Sequence, residues 1–152
     1  MQNIIFEQNI VFRKYTLDLV SDLDIDKLHL VPPKMTNSII WNVGHLLLSQ
    51  QMLTYGLSGL PLHTPMHWLK LFKIGSSGTP LVSQVDINSL FESMVPLIEQ
   101  TKIDFYDNTF QNFKPFHTGY GAHITNINEA LAFNNYHEGN HIGHIITLKK
   151  LV

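Results

Sequence analysis

Two histidines near the C-terminal end, His137 and His141, lie four residues apart in the segment Tyr-His-Glu-Gly-Asn-His-Ile-Gly-His. On a helix this spacing brings both rings to one face, with Cβ atoms about 5–6 Å apart. A third histidine, His45, lies far upstream in Trp-Asn-Val-Gly-His-Leu. Three neutral imidazoles can bind one divalent metal ion and leave a coordination position open for a reactant. We therefore predict a metal site with these three histidines as ligands.

The spacing alone does not identify a site, because the chain has nine histidines and a second pair, His63 and His67, is spaced in the same way. That pair has Pro65 between its members and lies in an irregular segment, so we interpret it as surface or loop residues. The alternative for His137 and His141 is hydrogen bonding to backbone or water at the edge of the core. All three predicted ligands interrupt apolar stripes, where an unpaired polar ring is costly. One metal ion would satisfy them together, which favours the metal site.

His144 lies one turn beyond His141 on the same predicted face. Three roles are open to it: a fourth ligand, a hydrogen-bond donor to one of the ligands, or a proton-transfer group near neutral pH. We favour the hydrogen-bond donor, because a fourth ligand would close the site and argue against catalysis. Ser49 follows His45 by one turn and could also reach the site, but we favour its interpretation as a solvated or self-capping serine. Glu138 is offset by about 100° from the neighbouring histidine on the helix, so it is predicted to be neither ligand nor base.

Four segments have apolar residues at helical spacing and are predicted to be the helices that position these side chains. They comprise residues 3–20, a segment from Asn37 or Ser38 to Leu57, residues 86–106, and a segment from Asn126 to the neighbourhood of Lys149. Asn126 is a suitable N-cap with a glutamate three residues later. No run of residues is convincing as a strand. The sequence therefore predicts an all-α antiparallel four-helix bundle, as a single domain of residues 1–152.

Long connections join the predicted helices. The second one is predicted to contain a short helix that opens at Thr64, with Pro65 as its first residue. Residues 75–78, which read Gly-Ser-Ser-Gly, and Pro80 predict a loop, as do residues 107–125.

The third predicted helix has an ambiguous start. Ser89 and Glu92 fit a capping box, and Pro96 either kinks the helix or marks its real beginning. The first predicted helix rests on an apolar stripe that comprises Ile4, Ile5, Val11, Phe12, Tyr15 and Leu19.

Composition limits the partners that the protein can have. Hydrophobic residues make up 44% of the chain and charged residues only 14%, against about 25% on average. We therefore expect part of the surface to be covered by a second copy, in a homodimer. A net charge of −2 without a Lys/Arg cluster argues against nucleic acid as a partner. There is no cysteine, which excludes disulfides, thiolate metal sites and a cysteine nucleophile.

The expected location follows from the segments that the sequence lacks. The N-terminal residues have no long apolar core of a secretory leader. No run approaches the roughly 18 apolar residues of a membrane-spanning helix. We expect a cytoplasmic protein that does not enter the membrane.

Three motifs carry a resemblance over nearly the whole chain: Trp-Asn-Val-Gly-His45-Leu, His137-x-x-x-His141-Ile-Gly, and residues 32–40 (Pro-Pro-Lys-Met-Thr-Asn-Ser-Ile-Ile). In these motifs the chain resembles the DinB-like superfamily, and more narrowly the branch that includes thiol-dependent S-transferases using bacillithiol or mycothiol. The resemblance implies an up-down-down-up four-helix bundle, often dimeric. It also implies a metal, commonly nickel or zinc, bound by one histidine of the second long helix and two of the last. Where the family often has glutamine, this chain has His144, which leaves the question of a fourth ligand open.

Two functions remain in contention. In the first, the protein is a metal-dependent enzyme in which a divalent metal on three histidines activates a thiol or water, for transfer to or hydrolysis of a small molecule. The absence of a carboxylate from the predicted metal-facing stripes favours a low-molecular-weight thiol over water, with His144 as the proton carrier. In the second, the protein is a non-catalytic, metal-binding or stress-response dimeric bundle. An open coordination position beside a pocket would favour the enzyme.

Overall fold

The computed structural model describes residues 2–76 and 81–152, which fold into helices joined by long connections and one short hairpin. In chain order the elements are α1 (Gln2–Val20), α2 (Ile25–His29), α3 (Ile39–Gln51), a π-helical turn (Met52–Gly56), α4 (Trp68–Phe72), α5 (Gln84–Tyr106), β1 (Phe116–His117), β2 (His123–Ile124) and α6 (Ile127–Lys149). The predicted all-α class is confirmed. None of the described helices has both the length and the apolar character needed to cross a bilayer.

Contacts between the four long helices give their directions. The pairs Asn9–Asn135 and Arg13–Glu138 join α1 to α6, and the pairs Gln50–Thr101 and Tyr55–Asp104 join α3 and its π-helical end to α5. Residue numbers rise together in these pairs, so each of the two helix pairs is parallel. The numbers run in opposite senses in Phe6–Phe105 and Arg13–Met94 between α1 and α5, and in Asn42–His141 and His45–His137 between α3 and α6. The long helices therefore run up, down, down and up, as the resemblance implies.

The helix that carries His45, α3, lies in the centre of the fold. Of the two predicted N-caps, Asn37 and Ser38, the second is correct, because Ser38 Oγ accepts a hydrogen bond from the backbone N–H three residues later, at 3.2 Å. Every residue of α3 except Ser49 is buried, as expected for a helix that is largely apolar around its circumference. The π-helical turn then continues the helical path to Gly56, one residue short of the predicted end at Leu57.

The helix that carries the other two predicted ligands, α6, is anchored at both ends. Asn126 Oδ1 accepts the backbone N–H of Glu129 at 3.1 Å, so the predicted cap is confirmed. The Glu129 carboxylate accepts the N–H of Thr125 at 2.7 Å. At the other end Lys149 Nζ donates to the carbonyl of Leu19 at 2.7 Å, which joins the end of α6 to the end of α1.

The start of α5 differs from the prediction. The helix begins earlier than residue 86, because Ser83 Oγ accepts the N–H of Asp86 at 3.1 Å and caps it. The capping box of Ser89 and Glu92 was wrong, since both residues lie within the helix. Pro96 also lies inside α5, so it does not mark the beginning.

The connections differ from the prediction in three places. The short α2, between the first two long helices, was not predicted. The helix expected at Thr64 begins only at Trp68. The residues before it form a turn instead, in which the N–H of Trp68 donates to the carbonyl of Pro65 at 3.0 Å. Residues 107–125 are not all loop, since they contain the hairpin of β1 and β2. Part of the loop predicted around residues 75–80 lies outside the described residues, namely 77–80.

Candidate metal centre

The three predicted ligands lie together although more than ninety residues of sequence separate His45 from the other two. One ring nitrogen from each of His45, His137 and His141 lies within 4.8 Å of those of the others. All three residues are at least 91% buried, with exposed fractions of 4%, 8% and 9%. Within residues 2–76 and 81–152, this is the one cluster of three or more histidine or acidic side chains that could hold a metal ion. The antiparallel packing of α3 against α6 produces this donor set, whose role as metal ligands stays a prediction.

Two of the rings are oriented by hydrogen bonds at Nδ1. His45 Nδ1 donates to the backbone carbonyl of Phe72 in α4, and His141 Nδ1 donates to Asn42 Oδ1 in α3, both at 2.7 Å. The Asn42 amide is itself fixed, because its Nδ2 donates to the carbonyl of Ser38 at 2.8 Å. Since both acceptors are oxygens without a proton, both rings carry their proton on Nδ1. Nε2 of each ring is therefore the unprotonated nitrogen, whose lone pair can bind a metal.

The third ring has an unpaired nitrogen. His137 Nδ1 is buried and has no hydrogen-bond partner among the described residues. An unsatisfied buried polar atom costs about 1–3 kcal/mol, and a cation bound by this ring would offset that cost. Ser49 Oγ lies 3.1 Å from His45 Nε2 and donates to it, so our interpretation of Ser49 as solvated or self-capping was wrong. Three neutral imidazoles of this kind fit zinc, nickel, copper or iron.

Burial keeps the three rings neutral. Burial lowers the pKa of His45. Burial is also the main reason that the pKa of His137 is lowered to about 4, and repulsion from the protonated form of His45 and from Arg13 contributes less. Burial also lowers the pKa of His141 to about 2, with further contributions from His137, His45 and His144. Only the neutral imidazole binds a metal. At neutral pH the cluster can therefore bind a cation without first losing protons.

Packing on α3 and α4 holds the His45 ring in place. Trp41 stacks on it with ring centroids 4.6 Å apart and 9° between the planes, and Trp41 Nε1 donates to Ser76 Oγ at 2.7 Å. Gly44 faces the ring of Phe72, which a Cβ atom at this position would overlap. A side chain at position 44 would therefore force the Phe72 ring to move, next to the carbonyl that orients His45.

Glu138 faces the core of the bundle, away from the open side of the cluster. Arg13 Nε donates to its two carboxylate oxygens at 2.9 and 2.8 Å, and both side chains are fully buried. Asn134 Nδ2 donates to the same carboxylate at 3.0 Å. This ion pair was not predicted from the sequence. The available signal was the only arginine of the chain, which lies among the residues of a predicted helix.

The remaining histidines lie outside the cluster. His144 is exposed, and its ring centroid is 5.8 Å from that of His141. His63 and His67 are about half exposed and face different carboxylates. Their partners are Asp104 for His63, at 3.9 Å, and Asp86 for His67, at 2.7 Å.

A cavity of about 680 Å³ opens beside the cluster, and all three histidines form part of its wall. Its volume lies in the range of about 300–1,000 Å³ that is usual for small-molecule sites. α3, α4, α6 and the hairpin contribute the other walls. Phe116 and Tyr120, in the segment predicted as loop, line the cavity opposite the helices. The three donors therefore border on a space that a small molecule can enter.

Comparison with known proteins gives one family. The family model described as the DinB superfamily matches residues 10–145, a range that includes all three clustered histidines. None of the curated proteins matches the chain.

Proposed function

Because the chain belongs to the DinB superfamily, we propose that it is a metal-dependent enzyme that acts on a small molecule. His45, His137 and His141 bind one divalent cation, zinc or nickel. The observation that carries the proposal is the cluster of three buried histidines in the wall of a 680 Å³ cavity. A purely structural site would be closed to reactants, whereas these three donors leave room for one.

A thiol is the reactant that this site favours. When bound, the cation would act as a Lewis acid that lowers the pKa of a thiol or water sharing it. No carboxylate lines the cavity in the part of the chain that the structure describes, and Glu138 is held by Arg13. A strong base for water is therefore missing. A thiol, with an ordinary pKa of about 8.5, needs less assistance.

We propose transfer of a low-molecular-weight thiol to an electrophilic carbon of a second small molecule. The sulfur forms a bond to carbon, the leaving group departs with its electron pair, and the thiol proton passes through water to His144, which does not line the cavity itself. The exposed His144 ring lies one turn from His141 and can return that proton to water. Ser49 lies 3.1 Å from His45 Nε2, where its hydroxyl can hydrogen-bond to a reactant once a cation occupies that nitrogen.

The protein is expected to bind about one zinc or nickel ion per chain. Elemental analysis of protein purified without an affinity tag or added metal measures this, followed by titration of the stripped protein with each metal. His141→Ala should abolish stoichiometric binding because it removes one of three donors. Circular dichroism should show that most of the helix content remains.

His63→Ala serves as the control, because it removes a histidine that lies outside the cluster and faces Asp104. It should change neither metal content nor helix content. Loss of metal in this variant would mean that the wrong histidines were chosen. A wild-type protein that neither contains nor takes up zinc or nickel would overturn the proposal.

Thiol binding is tested with cobalt-substituted protein, because sulfur coordination gives a charge-transfer absorption that oxygen ligands lack. Addition of 2-mercaptoethanol is expected to produce this absorption, and ethylene glycol should not. The same protein should accelerate the reaction of the thiol with 1-chloro-2,4-dinitrobenzene, an aromatic electrophile. Stoichiometric cobalt with neither response would contradict the thiol-transfer proposal and favour a non-catalytic metal-binding bundle.

A further inference from the structure

The cavity beside the three histidines has a mainly apolar wall with several aromatic rings. Trp41 of α3 and Phe133 of α6 contribute two rings next to the cluster, and Phe116 and Tyr120 of the hairpin contribute two more. The hairpin residues are partly exposed to solvent, with exposed fractions of 42% for Phe116 and 61% for Tyr120. The rings of Tyr120 and Phe133 lie in contact, with centroids 6.3 Å apart, and such an aromatic surface suits a ligand with a flat or bulky apolar body.

The described residues that line this cavity carry one positive charge and no negative charge. Lys73, directly after α4, is the only residue with a permanent charge among those that line it, and no aspartate or glutamate does so in the described ranges. Lys73 forms no ion pair with any residue that the structure describes, and it is exposed. It therefore lies at the rim, while the buried histidines form the floor. A ligand with an acidic group would find a counter-charge here, and a cationic ligand would not.

Lys73 is also linked to the floor of the site. It follows Phe72, whose carbonyl holds His45 Nδ1 at 2.7 Å. The end of α4 thus brings the lysine to the cavity that the three histidines border. A ligand that spans from rim to floor would contact both.

We propose that the cavity takes a small molecule with an apolar, ring-containing body and one acidic group. The acidic group pairs with Lys73 at the rim, and the body lies against Phe116, Tyr120 and Phe133. This inference rests on the proposed function only in placing the reacting end of the ligand at the three histidines. Lys73 is then a specificity-determining residue.

Three probes with one body test the proposal: 4-phenylbutyrate, 4-phenylbutanol and 4-phenylbutylamine. Isothermal titration calorimetry measures their affinities for the protein as purified and after removal of metal by a chelator. The acid should bind most tightly and the amine least tightly in both forms. In the metal-free form, where no cation can bind the carboxylate, Lys73→Gln should weaken binding of the acid roughly threefold to fivefold, the effect of one exposed ion pair, and leave the alcohol unchanged.

Lys70→Gln is the control, because Lys70 is an exposed lysine of α4, three residues before Lys73, that does not line the cavity. It should alter none of the three affinities. The inference would be overturned if the acid and the amine bound equally tightly or if no probe bound. It would also be overturned if Lys73→Gln bound the acid as tightly as the wild-type protein does. Selectivity for the acid in a protein that binds no metal would contradict only the proposed function. Stoichiometric metal without this selectivity would contradict only the inference about the ligand.

Discussion

Replacing Glu138 by alanine is expected to lower the free energy of unfolding by about 3–5 kcal/mol, a large part of the stability of a small domain. The reason is that Arg13 is fully buried and donates to both oxygens of this carboxylate. Without the carboxylate, the guanidinium charge would remain in the core. Its other acceptors are the helix carbonyls of Met94 and Leu46, at 3.3 and 3.5 Å. Urea unfolding of the metal-free protein, followed by circular dichroism, measures the loss.

Two further variants separate the charge from the loss of side-chain volume. Glu99→Ala removes an exposed glutamate and should change the free energy of unfolding by no more than about 0.5 kcal/mol. The double variant Arg13→Met/Glu138→Leu removes both buried charges and should recover most of the loss, because apolar residues can replace a buried ion pair at little cost. A Glu138→Ala effect no larger than that of Glu99→Ala would contradict the buried pair. A double variant as unstable as Glu138→Ala would show that an unpaired guanidinium is not the cause of the loss.

The same ion pair explains why the orientation of α1 could not be predicted. Apolar periodicity correctly predicted a helix, yet three members of the predicted stripe, Ile4, Val11 and Tyr15, are about half exposed or more. The buried face instead comprises Phe6, Asn9, Arg13, Thr16 and Val20. Thr16 donates to the carbonyl of Phe12 within α1, but Asn9 and Arg13 find their partners on α6, more than a hundred residues away. Apolar periodicity cannot indicate a buried face that contains polar groups with partners on a distant helix.

At the site, sequence spacing predicted the donors but not the groups that orient them. His45, His137 and His141 were identifiable because each interrupts an apolar helix face. The carbonyl of Phe72 was not, because any residue has a carbonyl and its position depends on where α4 begins. The hairpin that forms part of the cavity wall was not predicted either, because each of its strands has only two residues and so shows no periodic pattern. The homodimer, the cytoplasmic location and the role of His144 stay predictions.

The metal-free protein is expected to lose stability steeply as the pH falls below about 6.5. In the unfolded chain, histidines take up a proton near this pH. In the folded protein, burial lowers the pKa of His45, of His137 to about 4, and of His141 to about 2. The unfolded state therefore binds more protons, so acid favours unfolding. The stabilisation is complete above about pH 6.5 and is lost as the pH falls towards each folded pKa.

Each buried neutral histidine adds a slope of up to about 1.4 kcal/mol per pH unit, so removing one should make the dependence visibly shallower. His141→Gln removes one ring and leaves an amide that can still bond to Asn42. Urea unfolding in a chelator, from about pH 7.5 to about pH 5, should show a slope smaller by about that amount. Thr147→Ala changes an exposed residue of the same helix that carries no titratable group, and it should leave the slope unchanged. A wild-type slope in His141→Gln would mean that the His141 ring is not held neutral by burial.

Since a metal also requires neutral rings, saturating zinc should increase stability most at neutral pH and progressively less in acid.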